Sequence, residues 1–205
     1  MVYKTITTAI LAAGLTLGAT FAVSAADKPK LMMGASASML ANTCAGCHGT
    51  NGASQGPAAP SIAGMSAESM TEVMADFASG DTPSTIMGRI AKGYNEAETK
   101  AMAEFYSKVP VAMATQNFDA AQVKKGAKLH DKYCEKCHAD GGVNTEDGAA
   151  LAGQWTTYLN WSLADFKAGE RDAGKKMKKK LNKLVAKEGS KGISALLNYY
   201  ASQQK

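Results

Sequence analysis

Two pentapeptides, Cys44-Ala45-Gly46-Cys47-His48 and Cys134-Glu135-Lys136-Cys137-His138, take up all four cysteines of the chain. Each has the C-x-x-C-H form of a covalent c-type haem attachment site. The spacing has a chemical reason. Thiols three positions apart can add to the two vinyl groups of one porphyrin, while the adjoining imidazole turns towards the iron. Two copies with no cysteine left over predict a dihaem chain in which each haem is an apolar plate for the polypeptide to close around.

Other uses of such segments fit less well. A zinc centre takes four Cys or His ligands and would have to pool thiolates from both segments. A thioredoxin-like dithiol sits at a helix start behind a strand, and no βαβ pattern flanks either motif. Two disulfides would be a thin framework for a chain of 205 residues.

Covalent haem implies export. Lys4 supplies a positive start, Ile6 to Val23 is mostly apolar, and Val23-Ser24-Ala25 offers small residues for cleavage. Residues 1–25 are therefore expected to be a signal peptide, cut after Ala25 or Ala26, with a periplasmic address for the remainder. No later stretch is apolar enough to span a bilayer.

The remaining chain of about 180 residues reads as two domains, 26–112 and 113–205, each small enough to lean on its haem for a core. The halves repeat one another. Ile62-Ala63-Gly64 and Ala75-Asp76-Phe77 recur 89 positions later as Leu151-Ala152-Gly153 and Ala164-Asp165-Phe166, whereas the haem motifs are 90 apart. The junction falls between Val109-Pro110 and Gln116, where proline stops one helix before Asp119 opens the next. Asn95 with Glu98 has the form of a capping box ahead of Met102, Phe105, Tyr106 and Val109. Asp119 with Gln122 has the same form ahead of Val123, Leu129 and Tyr133. Tyr158, Leu159, Leu163 and Phe166 make a further stripe closed by Gly169, and a last helix is expected near Gly192 to Ser202. No convincing alternating run occurs, so the expected fold is all-α: two tandem cytochrome c domains.

His48 and His138 follow from the motifs as fifth ligands of the irons. The chain has only three histidines, so two bis-histidine centres are impossible. Met177 is the methionine available after His138, 39 residues on, and the same count from His48 reaches Met87. Equal spacing in duplicated domains assigns Met87 and Met177 as sixth ligands and leaves Met65, Met70, Met74 and Met102 as packing. His130 reads most simply as a surface residue. A carbonyl at Pro57 or Pro60 could orient His48. No proline follows Pro110, so a carbonyl near Ala149 or Ala150 would have to serve His138.

Met87 stands in Ile86-Met87-Gly88-Arg89-Ile90-Ala91-Lys92-Gly93-Tyr94. Met177 follows Leu151-Ala152-Gly153-Gln154-Trp155, Tyr158-Leu159-Asn160 and Ala164-Asp165-Phe166-Lys167-Ala168-Gly169-Glu170-Arg171. These stretches resemble the dihaem cytochrome subunit of the flavocytochrome c sulfide dehydrogenases. The resemblance implies a heterodimer in which a flavoprotein subunit, holding FAD, oxidises sulfide and passes electrons to this chain and on to an acceptor such as a small cytochrome. On that resemblance Cys44, Cys47, Cys134 and Cys137 carry haem c, while His48 with Met87 and His138 with Met177 hold the irons. A free dihaem carrier similar to cytochrome c4 shares the duplicated architecture and is the alternative.

The chain has no G-x-G-x-x-G stretch and its thiols are committed, so no catalytic site is expected on it and FAD belongs to the partner. A dihaem peroxidase would need an open sixth position, and a sensor would need a transmitting domain. Residues 27–113 carry 6 basic and 8 acidic side chains, against 16 and 10 in residues 114–205. Much of that excess is Lys175, Lys176, Lys178, Lys179 and Lys180, which flank Met177. They read either as a surface that steers an acidic redox partner or as a solvated face. Export and the absence of an aromatic pattern argue against nucleic acid.

Overall fold

A computed structural model describes residues 34–146 and 149–204, and the expected signal peptide lies outside them. Every regular element among the described residues is helical, as the patterning predicts.

In the first half, α1 (Ala37–Asn42) starts where the Ser36 side chain accepts the Met39 N–H, and it runs almost directly into α2 (Ala45–His48), the single turn that carries the first motif. Ser66 caps α3 (Ala67–Ser79), which ends at left-handed Gly80. The short α4 (Met87–Ile90) leads towards α5 (Glu96–Tyr106). The expected capping box is present: Asn95 Oδ1 accepts the Glu98 N–H at 2.9 Å, and Glu98 Oε2 accepts the Asn95 N–H at 3.0 Å. Leu40, Met65, Met70, Met102 and Tyr106 form the core here, with Met74 packed at its edge. The four methionines therefore act as packing, as expected.

The second half comprises α6 (Ala120–Tyr133), α7 (Ala139–Gly142), α8 (Thr156–Ala168) and α9 (Gly174–Ser202). Leu129, Tyr133, Leu159, Leu184, Ile193, Leu196 and Tyr200 form a second, separate core. Gly169 ends α8 in the left-handed conformation, as its position predicts. Two sequence expectations need correction. The last helix extends back from Gly192 through the lysines to Gly174, with a break at Gly189 (φ 59°, ψ −155°). Leu181, Leu184 and Val185 anchor that stretch beneath its charges. The Asp119 cap is not a reciprocal box either. Asp119 Oδ1 accepts the Ala121 N–H, but Gln122 donates to the Asp119 carboxylate, and the Asp119 N–H goes to Asn198 Oδ1 on α9.

The repeat extends to individual hydrogen bonds. Ile62 and Ala63 both donate to Gly52 O, as Leu151 and Ala152 do to Gly142 O, and Gly64 donates to Tyr106 O as Gly153 does to Tyr200 O. The connecting segment is fastened to the second half. Ala114 N–H donates to Gly153 O at 2.7 Å, Gln116 Nε2 donates to Gln154 O, and Gln116 Oε1 accepts the N–H of Thr156.

Candidate functional site

The second motif begins where α6 stops. Cys134 caps that helix through a 2.7 Å bond to His130 O, and Cys137 and His138 both donate back to Cys134 O, winding the pentapeptide into one tight turn. The turn faces a cavity of about 550 Å³ lined by Cys134, Cys137, His138 and Met177 together. Its walls are apolar, with Tyr133, Leu159, Leu163, Phe166, Leu184 and Leu196 among them, and Lys136, Arg171, Lys176, Lys179 and Lys180 also line it. The structure thus gathers all four predicted second-half residues, from α6 through α9, around one space. Ala149 and Ala150 line it too.

The first motif is wound the same way, with Cys47 and His48 donating to Cys44 O. His48 Nδ1 lies 2.8 Å from Pro60 O. A carbonyl only accepts, so Nδ1 carries the proton and Nε2 keeps the lone pair that a metal requires. Of the two prolines weighed, Pro60 is the one that holds the ring. Met87 opens α4, half-buried, and α4 packs against α3.

The donor set fits haem c and little else. Burial pushes the Cys44 and Cys134 thiols up from their ordinary value, the opposite of what a reactive dithiol needs. Among the described residues no three His, Cys, Asp or Glu side chains converge as a zinc centre requires. A 550 Å³ apolar space carrying two thiols, an imidazole and a thioether matches a covalently tethered porphyrin. The buried Tyr133 hydroxyl, on the cavity wall, has no hydrogen-bond partner among the described residues, as a polar edge of such a group would require.

One residue departs from its sequence expectation. His130 is fully buried, not on the surface. Its Nε2 lies 2.5 Å from Glu135 Oε2, inside the second motif, and its Nδ1 lies 2.9 Å from the Tyr200 hydroxyl. An ionised Glu135 only accepts, so Nε2 carries the proton and Nδ1 accepts from Tyr200. Glu135 also accepts the N–H groups of Asp140 and Gly141. The His130 bond first, and these amides after it, hold its carboxyl below the usual carboxylate range. His130 therefore has both ring nitrogens engaged and supports the motif from beneath.

Residues 34–110 match the model of the Cytochrome c family. That match lies within the first half, and the second half repeats its motif and its hydrogen bonds, so the chain as a whole is similar to electron-transfer cytochromes c. It is 46% identical over 68 residues to the cytochrome subunit of sulfide dehydrogenase from Chlorobaculum tepidum, a stretch covering 33% of this chain and 61% of that one. It is 29% identical over 195 residues to cytochrome c4 of Pseudomonas aeruginosa, covering 90% of this chain and 93% of the relative. The crystal structure of reduced recombinant cytochrome c4 from Pseudomonas stutzeri superposes with a TM-score of 0.68 at 26% identity, covering 82% of this chain and 98% of that one. The architecture is accordingly two cytochrome c domains in tandem.

Proposed function

We propose that the chain binds one haem c at each motif, with His48 and Met87 as axial ligands in the first centre and His138 and Met177 in the second. We further propose that it serves in the periplasm as the electron-transfer subunit of a flavoprotein that oxidises sulfide, receiving electrons from the partner's FAD. The observation that carries the haem assignment is the single apolar cavity onto which Cys134, Cys137, His138 and Met177 all face. Bound there, the haem iron supplies a one-electron couple, and a soft, neutral thioether ligand favours the ferrous state. The protein's own part is to tether through the cysteines, to fix the imidazole by a backbone carbonyl, as Pro60 does for His48, and to keep water from the iron with leucine and phenylalanine walls. The basic side chains on the cavity lining provide a positive surface for an acidic partner. The partial likeness to the Chlorobaculum tepidum subunit supports the sulfide assignment.

The likeness along nearly the whole chain to cytochrome c4 supports a second reading, a free dihaem carrier. Purification from the native source separates them. A flavin-bearing polypeptide retained one-to-one supports the subunit, and a haem-only species supports the carrier. Met87→Ala and Met177→Ala should each remove part of the methionine-to-iron charge-transfer absorption. Unchanged absorption in both variants would overturn the ligand assignment.

A further inference from the structure

A side chain from the second half reaches the support of the first-half imidazole. Gln154 is 3% exposed. Its Oε1 accepts the Ser61 N–H at 2.9 Å and its Nε2 donates to Ser61 O at 2.9 Å, so one amide pairs with both backbone groups of a residue 93 positions away. The Ser61 N–H and the Pro60 carbonyl belong to the same peptide plane, and that carbonyl faces His48 Nδ1 at 2.8 Å. A continuous chain therefore runs from His48 N–H to Pro60 O, through one rigid peptide, and from Ser61 N–H to Gln154 Oε1. Donation by the peptide N–H polarises its own carbonyl, which strengthens that carbonyl as an acceptor. Gln154 also lines the cavity of the second motif.

We propose that Gln154 is a positioning residue for the first redox centre: from the opposite domain it orients and polarises the Pro60–Ser61 peptide that holds His48, and so ties the first centre's proximal side to the wall of the second cavity. This rests on the haem assignment above. The bond at Nδ1 raises the basicity of the ligating nitrogen, and a stronger donor favours ferric iron. Losing the Gln154 contact should therefore raise the potential of the first centre.

A mere interface role makes a different forecast, and Trp155 provides the control. It is the neighbouring cross-domain contact, with Nε1 donating to Ser54 O at 3.1 Å and its ring seated so closely on Gly56 that a Cβ there would lie 2.2 Å from it. Ser54 bonds the same loop only through the Ser61 hydroxyl, which accepts its N–H at 3.2 Å, and the Ala59 carbonyl, so the Trp155 contact bypasses the Pro60–Ser61 peptide group that holds His48. Three holoproteins are compared: wild type, Gln154→Met, which keeps the shape and removes both bonds to Ser61 together with the one Gln154 Oε1 accepts from the Trp155 N–H, and Trp155→Phe, which keeps all three. Intact mass reports covalent haem, spectroelectrochemistry reports both potentials, and NMR reports exchange of the His48 Nδ1 proton, with the centres assigned from the Met87 and Met177 methyl signals. In Gln154→Met the first centre's potential should rise and the His48 proton should exchange about tenfold faster. Trp155→Phe should lower thermal stability and leave both signals as in wild type. Two haems present with wild-type potential and exchange in Gln154→Met would refute the positioning role alone, as would equal shifts in the two variants. Absence of covalent haem would refute the assignment beneath it.

Discussion

Gly126→Ala gives a case where two effects of opposite sign meet at one atom. Gly126 lies inside α6, where replacing glycine by alanine on a free helix would stabilise by about 1 kcal/mol. It also lies where α6 meets α9, the most extensive helix pairing in the chain. A Cβ at 126 would sit 2.1 Å from Ala195 O and 2.5 Å from Tyr199 Cβ. The first obstacle is backbone and cannot rotate away, so the helices would have to part by about 1 Å or more to restore normal van der Waals separation. Overpacking of this kind costs about 1–3 kcal/mol and often more where backbone must move. The movement would also loosen Leu129, Ile193, Leu196 and Tyr200, all in the core between these helices. The packing loss outweighs the helix gain, and the net destabilisation should be about 2 kcal/mol, or roughly 4–8 °C in Tm for a chain of this size. Both tryptophans, Trp155 and Trp161, lie in the second half, so urea unfolding followed by their emission reports on the half that carries the change. A midpoint equal to or above that of wild type would show that α6 and α9 do not approach as closely as described.

Asn95→Ala removes one side of the capping box of α5 and should lower stability by about 1 kcal/mol in thermal unfolding, whereas Asn95→Asp should cost much less. Tyr106→Phe deletes the hydroxyl that donates to Ala41 O at 2.6 Å, and because that carbonyl still accepts the Cys44 N–H the loss should be only about 1 kcal/mol by urea titration, with no change in helical content. The folded-state pKa of Glu135 is depressed below the ordinary 4.5, so its contribution to stability is present above that value and is lost as pH falls through the lower folded value. Acid titration of Tm should therefore show a steeper fall below pH 4.5 in wild type than in Glu135→Gln, and parallel curves would remove the carboxylate from the account.

Where the chemistry is local, the sequence was legible. The Cys and His spacing located both turns, and Asn95 with Glu98 formed the box that three-residue spacing implies. Gly169 ended its helix for the reason any left-handed cap does. What escaped depended on partners far along the chain. The lysines from 175 to 180 hid the helical spacing of Leu181, Leu184 and Val185, because a charge run outweighs a narrow apolar stripe when hydrophobicity is averaged. Gln122 has the spacing of a capping partner for the Asp119 amide, but Asn198 on α9 takes that amide. His130 looked solvated because nothing near it in sequence marks Tyr200 as its neighbour. Gln154 carries no local signal at all, since its role is defined by a peptide 93 residues away.

His130 becomes intelligible when the halves are compared. Tyr106 and Tyr200 occupy matching places, each accepting an amide from the glycine of the repeated Ile/Leu-Ala-Gly segment. The Tyr106 hydroxyl ends on the Ala41 carbonyl; the position 89 residues further on is His130, whose side chain takes the Tyr200 hydroxyl instead. The second motif sits one residue later in its repeat, so Cys134 N–H reaches back four residues to His130 O where Cys44 N–H reaches back three to Ala41 O. The imidazole then passes the connection to Glu135, which stands where the first motif has Ala45, and Glu135 binds the amides at the left-handed pair Asp140 and Gly141 (φ 56° and 70°). The first loop has Pro57 and Pro60 to limit its backbone; the second has no proline at all. A buried histidine and a carboxylate therefore do with hydrogen bonds in the second domain what ring constraint does in the first, which explains why the one histidine not assigned to iron is among the most buried side chains of the protein.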